Sequence, residues 1–161
     1  MALEIQNEAI VQLIGFHVGR KLYGTDILAV REILRDPDIE TSEEGTDFMR
    51  GVVYLRGEPI PVIDMRFCLG LNQDAGSPDR NWVLVVQSGK WPAGYLVDSV
   101  TRILRVSTDH ILPPPEIIMA GLRSPYIRGV CDTENGLLVV LDMDRILLGE
   151  EQRSIQQLTL A

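Results

Sequence analysis

The sequence predicts an all-β fold in which a small barrel unit occurs twice. The first observation is an internal duplication: residues 18–34 align with residues 88–104, and residues 48–70 align with residues 126–148, with five identities in the first block and seven in the second. The second is that apolar runs are short and turn residues are frequent, which favours a barrel of short strands. The third is that no room is left for the long crossover helices of a parallel sheet. Two copies of one supersecondary unit are therefore expected.

Two short strands are expected to open each half, joined by a turn at Gly19 in the first half and at Gly89 in the second. Ile27, Val30 and Ile33 recur at three-residue spacing, which predicts one helical turn running into a further strand. The four opening strands are predicted at Val11–Phe16, Tyr23–Ile27, Trp82–Val86 and Tyr95–Val97.

A hairpin and a short helix are expected to close each half. Asn135-Gly136 is a strong hairpin signal because both residues tolerate a positive φ, and Asp64 and Asp142 stand where an N-cap residue is expected. The predicted elements are strands Gly51–Leu55, Ile60–Ile63, Gly129–Asp132 and Leu137–Leu141, turns Arg56–Pro59 and Glu134–Gly136, and helices Met65–Leu69 and Met143–Leu147.

Two loops of unequal length lie within the halves, at Arg35–Asp47 and Arg105–Pro125. The second contains three consecutive prolines, which cannot donate ladder hydrogen bonds, so it is expected to lie along the surface. The tail, residues 149–161, is expected either to form a frayed helix or to be disordered.

The 161 residues have a net charge of −8 and a hydrophobic content of 45%. One domain over residues 1–161 is expected, made of pseudo-repeats at about residues 11–70 and 81–148 that share apolar surface. The acidic balance argues against a nucleic-acid partner, and no run reaches the roughly 20 apolar residues of a membrane helix. The N-terminus lacks the basic region of a signal peptide, so a cytoplasmic location without membrane insertion is expected.

No group of residues stands out as a catalytic, metal or cofactor site, and none is predicted. His17 and His110 occupy non-equivalent positions and are expected to be ordinary surface histidines. Asp64 and Asp142 could be imagined as a pair of carboxylates for acid–base catalysis. N-capping explains both residues at once, because each duplicates the other in the same local context.

Cys68 and Cys131 align with Ile146 and Val53 of the other half. Since aliphatic residues occupy the equivalent positions, two buried free thiols are expected and a disulfide is not. The two tryptophans, Trp82 and Trp91, are expected to pack in or near the core, with an interface role left open for Trp91.

One asymmetry between the halves concerns charge. Glu32 aligns with Arg102, and Arg56 at the first hairpin turn aligns with Glu134 at the second. Glu32 and Arg56 are therefore either two solvated surface residues or a fixed ion pair on a recognition face. An exposed pair contributes only about 0–1 kcal/mol to stability, so the value of a fixed pair would lie in orienting a partner.

The runs FHVGRKLYGTDILAVREIL and FMRGVVYLRGEPIPVIDMRFCLGL resemble the CheW family of chemotaxis coupling proteins. The likeness continues through YLVDSVTRILRVSTDHILPPPE and YIRGVCDTENGLLVVLDMDRIL, covering roughly residues 10–150. The resemblance implies two intertwined five-stranded SH3-like barrels with short helical turns. It also implies a non-enzymatic adaptor that bridges methyl-accepting receptors and the CheA histidine kinase.

The resemblance implies receptor contact for residues of the V-x-E and LRG elements, which here are Val30, Glu32, Arg56 and Gly57. It also ties three further positions to receptor coupling, namely Gly51, Val100 and Gly129. The contact with the regulatory domain of the kinase is expected to run from barrel end to barrel end. Tyr54 departs from the family, which commonly has Asn before LRG.

Three alternatives to a stand-alone coupler remain open. One is a CheV-type scaffold lacking its receiver domain, which the short leader and the absence of a following receiver disfavour. Another is a sensor whose barrel binds a small molecule, and the third is a small hydrolase or transferase that uses Asp64, Asp142 or the histidines.

Overall fold

In the computed structural model, ten strands form two five-stranded sheets. The structure describes residues 9–41, 49–71, 81–88, 91–114 and 126–146. The strands are β1 (Ile10–Val18), β2 (Lys21–Asp26), β3 (Val30–Arg35), β4 (Met49–Leu55), β5 (Glu58–Asp64), β6 (Trp82–Ser88), β7 (Trp91–Val97), β8 (Ser99–Ser107), β9 (Ile127–Thr133) and β10 (Gly136–Leu141).

The two repeats exchange their opening hairpins. One sheet, barrel I, has the strand order β3-β6-β7-β5-β4, and the other, barrel II, has the order β8-β1-β2-β10-β9. Each sheet therefore takes two strands from one repeat and three from the other, and the two orders become identical when equivalent strands are matched. This topology confirms the predicted class of two intertwined five-stranded barrels.

Parallel pairing joins the exchanged strands in both barrels. In barrel I, Val62 of β5 lies opposite Gly94 of β7; in barrel II, Val140 of β10 lies opposite Gly24 of β2. These two pairs are equivalent in the duplication, so the register is preserved as well as the strand order.

The apolar residues form one shared core and two smaller interior cores. Buried residues of both sheets meet in the shared core between the barrels, among them Phe16, Tyr23, Leu84 and Tyr95. Strand β6 shows how its sequence serves two cores: Leu84 and Val86 face the shared core, and Val83 and Val85 face the interior of barrel I. A continuous apolar run is needed there because both faces of the strand are buried.

The first hairpin turn is tighter than the sequence predicts. Strand β5 begins at Glu58, so the turn contains only Arg56 and Gly57, with φ of 51° and 80°. Two central residues with positive φ are typical of a type I′ turn, which matches the twist of the flanking strands. In the second hairpin the turn residues are Glu134 and Asn135, and only Gly136 has a positive φ, of 110°. The hairpin signalled by Asn135-Gly136 is therefore present, but only the glycine of the pair adopts the positive φ.

The short helices lie close to their predicted positions. The helix α1 spans Met65–Leu69, residues 143–146 are helical, and a 3-10 turn at Ile27–Ala29 leads into β3. In the second half, β8 extends to Ser107 and a 3-10 turn follows at Thr108–His110, so the predicted loop begins later than Arg105. Most of that loop and the tail at 149–161 lie outside the described residues. None of the described helices has the length and apolarity needed to traverse a bilayer.

Several side-chain predictions are confirmed. Cys68 and Cys131 are both buried and free. Trp82 packs partly buried against the shared core, while the side chain of Trp91 lies outside what the structure describes. His110 is exposed, whereas His17 is half-buried, with its Nδ1 3.2 Å from Ser99 Oγ, so only His110 is an ordinary surface histidine.

Candidate functional site: a charged seam and the junction between the barrels

Glu32 and Arg56 form an ion pair on the outside of barrel I. Arg56 Nη1 lies 3.4 Å from Glu32 Oε2, and the two side chains are 72% and 29% exposed. Glu32 belongs to β3 and Arg56 to the β4–β5 turn. Because β3 and β4 are the two edges of the same sheet, the pair crosses the seam at which the barrel closes. The structure thus shows the fixed pair rather than two separate solvated charges.

A second pair of charges lies beside the first. Arg31 Nη2 lies 3.4 Å from Glu58 Oε2, and Arg31 Nη1 donates to Gln87 Oε1 at 3.0 Å. The position of Arg31 follows from a register shift between Val30 and Glu32 in the pairing of β3 with β6. We call Arg31, Glu32, Arg56 and Glu58 the charged seam. The sequence comparison singled out only Glu32 and Arg56.

Barrel II presents a different surface at the equivalent place. Arg102 and Glu134, the counterparts of Glu32 and Arg56, line an open groove of about 510 Å³ together with Leu104, Val106 and other residues of β8 and β9. Among the described residues, no ion pair joins Arg102 and Glu134. The charged seam is therefore a property of barrel I.

Val30 and Val100 lie at the junction between the barrels. They occupy equivalent positions in the duplication, and both pack, partly buried, against the shared core. Val30 lies opposite Val86 of barrel I, and Val100 lies opposite Phe16 of barrel II. Each barrel thus contributes one partly buried valine to the junction, and Val30 directly precedes Arg31 and Glu32 of the charged seam in β3.

Gly51 and Gly129 are buried and allow a close approach of backbones. A Cβ atom at Gly129 would lie 2.7 Å from Leu112 O, and one at Gly51 would collide with the carbonyl of Glu40. At both places the chain that follows the third strand of the repeat, β3 or β8, pairs with β4 or β9 through the bridges Glu40↔Val52 and Leu112↔Val130. These two glycines therefore have a packing reason that needs no partner. Gly57 differs, because it is exposed and serves the turn.

Asp64 and Asp142 are helix caps. Asp64 Oδ1 accepts the backbone N–H of Arg66 at 3.0 Å, and its Oδ2 lies 3.3 Å from Arg50 Nε. Asp142 Oδ1 accepts the backbone N–H of Arg145 at 3.3 Å. Both carboxylates are thus engaged in capping, as the sequence predicts.

The electrostatics of the interior are those of a packed core. Burial raises the pKa of Tyr23 to about 12. Burial, and secondarily the charge of Asp132, raises the pKa of the Cys131 thiol, which keeps it protonated and a poor nucleophile. Within the described residues, no cluster of three or more His, Cys, Asp or Glu side chains is arranged to hold a metal ion.

Sequence reasoning missed one further cluster, at the crossing between the barrels. Asp98 is the single residue between β7 and β8, and its Oδ1 lies 2.5 Å from Arg66 Nη2. Its Oδ2 accepts the backbone N–H of Gly19 at 2.7 Å. A signal for this cluster was present in the sequence. Arg66 aligns with Asp144, so the charge is reversed there, and Asp98 aligns with Leu28, so the charge is absent from the other half.

Comparison with known proteins shows to which family this sequence is similar. The family model of the CheW-like domain matches residues 12–151. A chemotaxis protein CheW from Klebsiella aerogenes is 33% identical over 137 residues, covering 84% of this chain and 81% of that protein. Another from Rhizobium meliloti is 33% identical, with 89% and 91% covered.

A solved structure shows the same fold. The crystal structure of the scaffolding protein TtCheW from Thermoanaerobacter tengcongensis superposes with a TM-score of 0.72 at 27% sequence identity, covering 83% of this chain and 90% of that chain. With the duplicated barrels, the exchanged hairpins and the family match over most of its length, the chain belongs to the CheW-like domain family and is a chemotaxis adaptor.

Proposed function

We propose that this chain is a non-enzymatic coupler that joins the cytoplasmic tip of a methyl-accepting chemoreceptor to a CheA-type histidine kinase in the cytoplasm. The observation that carries the proposal is the exposed Glu32–Arg56 pair beside the apolar junction of the two barrels. The two relatives described above are both named CheW, and this chain covers 81% and 91% of their lengths, which favours this coupler over a CheV-type scaffold.

The receptor contact combines an apolar strip with a polar rim. Val30 and Val100 supply apolar surface from the two barrels, and an amphipathic helix of a receptor tip would lay its apolar face there. Arg56 is the most exposed of the four residues in the charged seam, with 72% of its side chain accessible. Its guanidinium has several N–H donors, so it can hold Glu32 and still donate to a partner.

The pair is poorly explained as a device for stability. An ion pair with this exposure contributes about 0–1 kcal/mol, because water and salt screen it. Arg56 also occupies a backbone conformation with a positive φ of 51°, which a side chain other than Gly rarely adopts. Recognition explains why a long, charged residue stands at this turn, since electrostatic complementarity gives register and selectivity.

The kinase contact is proposed at the ends of the barrels. The regulatory domain of the kinase resembles this fold, so a barrel of one protein can meet a barrel of the other in a pseudo-symmetric way. Each contact is expected to be micromolar, on the order of −8 kcal/mol. The strength of an assembly would then come from multivalency rather than from any one interface.

The direct test is to replace Arg56 with Glu and measure binding to a soluble cytoplasmic receptor fragment and to the kinase regulatory domain. We expect Arg56→Glu to abolish receptor binding, because it places a like charge beside Glu32 and removes the exposed donors. Kinase binding and the thermal midpoint should stay close to those of the wild type, since the turn and the barrel ends are unchanged.

The matched control is Glu134→Arg at the equivalent turn of barrel II, which should leave receptor binding intact. If Arg56→Glu binds the receptor fragment as the wild type does, the seam is not the contact. Unfolding of Arg56→Glu would instead make Arg56 a structural residue, and the proposal would lose its main site.

A further inference from the structure

We propose that Asp98 and Arg66 form an ionic clamp that sets the orientation of the two barrels at the receptor-docking junction. The inference rests on the proposed function, because its consequence is the geometry of the surface that the receptor helix would meet. It assigns a positioning role to two residues that lie outside the charged seam and outside the apolar strip.

The clamp joins elements of different barrels through one carboxylate. Arg66 lies in α1, which directly follows β5 of barrel I, and its Nη2 contacts Asp98 Oδ1 at 2.5 Å. Gly19 lies in the β1–β2 turn of barrel II, and its backbone N–H donates to Asp98 Oδ2 at 2.7 Å. Asp98 itself is the point at which the chain passes from β7 of barrel I to β8 of barrel II.

Hydrogen bonds around Asp98 link its position to that of Val100. The N–H of Asp98 donates to the carbonyl of His17 at 3.0 Å, and Ser99 Oγ lies 3.2 Å from His17 Nδ1. The start of β8 is thereby fixed to the end of β1, and Val100 follows opposite Phe16. Arg66 shares barrel I with Val30, so the ion pair crosses the boundary that separates the two valines.

The clamp supplies a directional contact that the shared core lacks. Apolar burial is non-directional and tolerates small shifts between two packed sheets. A charge-assisted hydrogen bond fixes both a distance and an angle, and this pair is shielded, with the Arg66 and Asp98 side chains only 8% and 21% exposed. Buried ion pairs add little net stability compared with apolar residues of similar volume, so we assign this pair a role in geometry rather than in stability.

The duplicated half shows that the fold forms without such a pair. The counterparts of Asp98 and Arg66 are Leu28 and Asp144, and Leu28 is 90% exposed. The two sides of the junction are thus different: the Val100 side is clamped, and the Val30 side is open and apolar at its rim. If the pair were a requirement of the architecture, both sides would need it.

The test compares two variants in the full chain. Asp98→Asn keeps the shape and an acceptor for the Gly19 N–H but removes the charge that faces Arg66. The double variant Asp98→Leu with Arg66→Met removes both charges and places at position 98 the residue found at its counterpart. The control is Asp144→Asn at the counterpart of Arg66.

Three quantities are measured for each variant: the thermal midpoint, the relative orientation of the barrels from residual dipolar couplings of backbone amides, and the affinity for a soluble receptor fragment and for the kinase regulatory domain. We expect the double variant to remain folded with a changed barrel orientation, to bind the receptor fragment about tenfold more weakly, and to bind the kinase domain as the wild type does. Asp98→Asn should change the orientation in the same direction by a smaller amount, and the control should change nothing.

Residual dipolar couplings that fit one orientation for the wild type and for both variants would overturn the clamp. An altered orientation with unchanged receptor affinity would overturn its role in docking. A wild-type chain that fails to bind the receptor fragment would count against the proposed function alone, because the orientation measurement needs no receptor. If one of the two variants does not fold, the other carries the test.

Discussion

At the scale of single residues, a comparison of equivalent positions in the two halves separates the shared architecture from features that belong to one half only. Positions that the halves share, such as Asp64 and Asp142, prove to be caps. Positions that differ in charge, such as Glu32 and Arg56, prove to form contacts on the surface or between barrels. The comparison could be made from the sequence alone, and the same rule would have singled out Arg66 and Asp98 as positions of interest, without showing that they contact each other.

What the sequence could not provide at this scale is the identity of contact partners. Arg31 meets Glu58, and Arg66 meets Asp98, across intervals of 27 and 32 residues. Such contacts depend on strand register and on a bulge in β3, and neither leaves a periodic signal in the chain. Glu32 and Arg56 were found because both reverse sign between the halves, not because of their spacing.

Tyr23 offers a prediction for a single side chain. It is fully buried, its hydroxyl finds no hydrogen-bond partner in the described part of the chain, and burial raises its pKa to about 12. The unfolded chain deprotonates near pH 10, so the stabilising contribution of the protonated hydroxyl is complete below pH 10 and is lost as the pH rises towards 12. Tyr23→Phe should therefore flatten the loss of stability between pH 10 and pH 12.

At neutral pH the same variant should be close to neutral or slightly stabilising, because it removes an unpaired buried polar group and keeps the ring. Urea unfolding at pH 7, 9 and 11 measures both effects. A variant that is destabilised by more than about 2 kcal/mol at pH 7 would show that the hydroxyl is satisfied in solution.

At the scale of elements, the sequence predicts which strands, turns and helices exist better than it predicts where each begins and ends. The helical turn before β3, the hairpins and the short helices are all present. The first hairpin turn is two residues shorter than predicted, because Glu58 and Pro59 were assigned to the turn and instead pair in the ladder with Leu55 and Tyr54. Proline in a run is usually taken as a strand breaker, and here its position at the beginning of β5 makes it compatible with the strand.

The bridge that closes each barrel gives a prediction at this scale. Leu112 and Val130 exchange two backbone hydrogen bonds of 2.8 Å, and the missing side chain of Gly129 makes room for them. Gly129→Ala should destabilise the fold by about 1–3 kcal/mol, because the added methyl group meets backbone that cannot move away without breaking the bridge. Hydrogen exchange should show faster exchange of the Leu112 and Val130 amides.

The control for this prediction is Gly19→Ala. Gly19 has a positive φ of 63° and nothing within 4 Å of its hypothetical Cβ, so the change should cost only about 1–2 kcal/mol of backbone strain and leave exchange at Leu112 and Val130 unaltered. Equal protection of the bridge amides in Gly129→Ala and in the wild type would contradict the packing role of Gly129.

At the scale of the whole molecule, the exchange of hairpins is the feature that strand patterns alone could not settle. The hairpins β1–β2 and β6–β7 are duplicates, so either could pair with either set of three following strands. The pattern of apolar residues is the same in both arrangements. Only the family resemblance implied intertwined barrels, and the parallel pairs Val62↔Gly94 and Val140↔Gly24 now show them.

The exchanged architecture also suits the coupling role that we propose. Two barrels that share one core present two ends and one junction, so separate partners can bind without competing for one surface. The halves have kept the common core and have diverged on their outer faces, with the charged seam on barrel I and an open groove of about 510 Å³ on barrel II. Divergence of this kind favours partners that differ from one another.

The central claim is that Arg56 is exposed for a partner rather than for the fold, and a double charge reversal tests it most directly. Glu32→Arg combined with Arg56→Glu keeps opposite charges at the two positions, so an ion pair within the chain can still form. The charges that face a receptor fragment are exchanged, and they then have the signs of Arg102 and Glu134. We predict a thermal midpoint near that of the wild type and no recovery of receptor binding in a calorimetric titration. Recovery of wild-type affinity by the double variant would contradict the account, because it would show that only the internal pair matters.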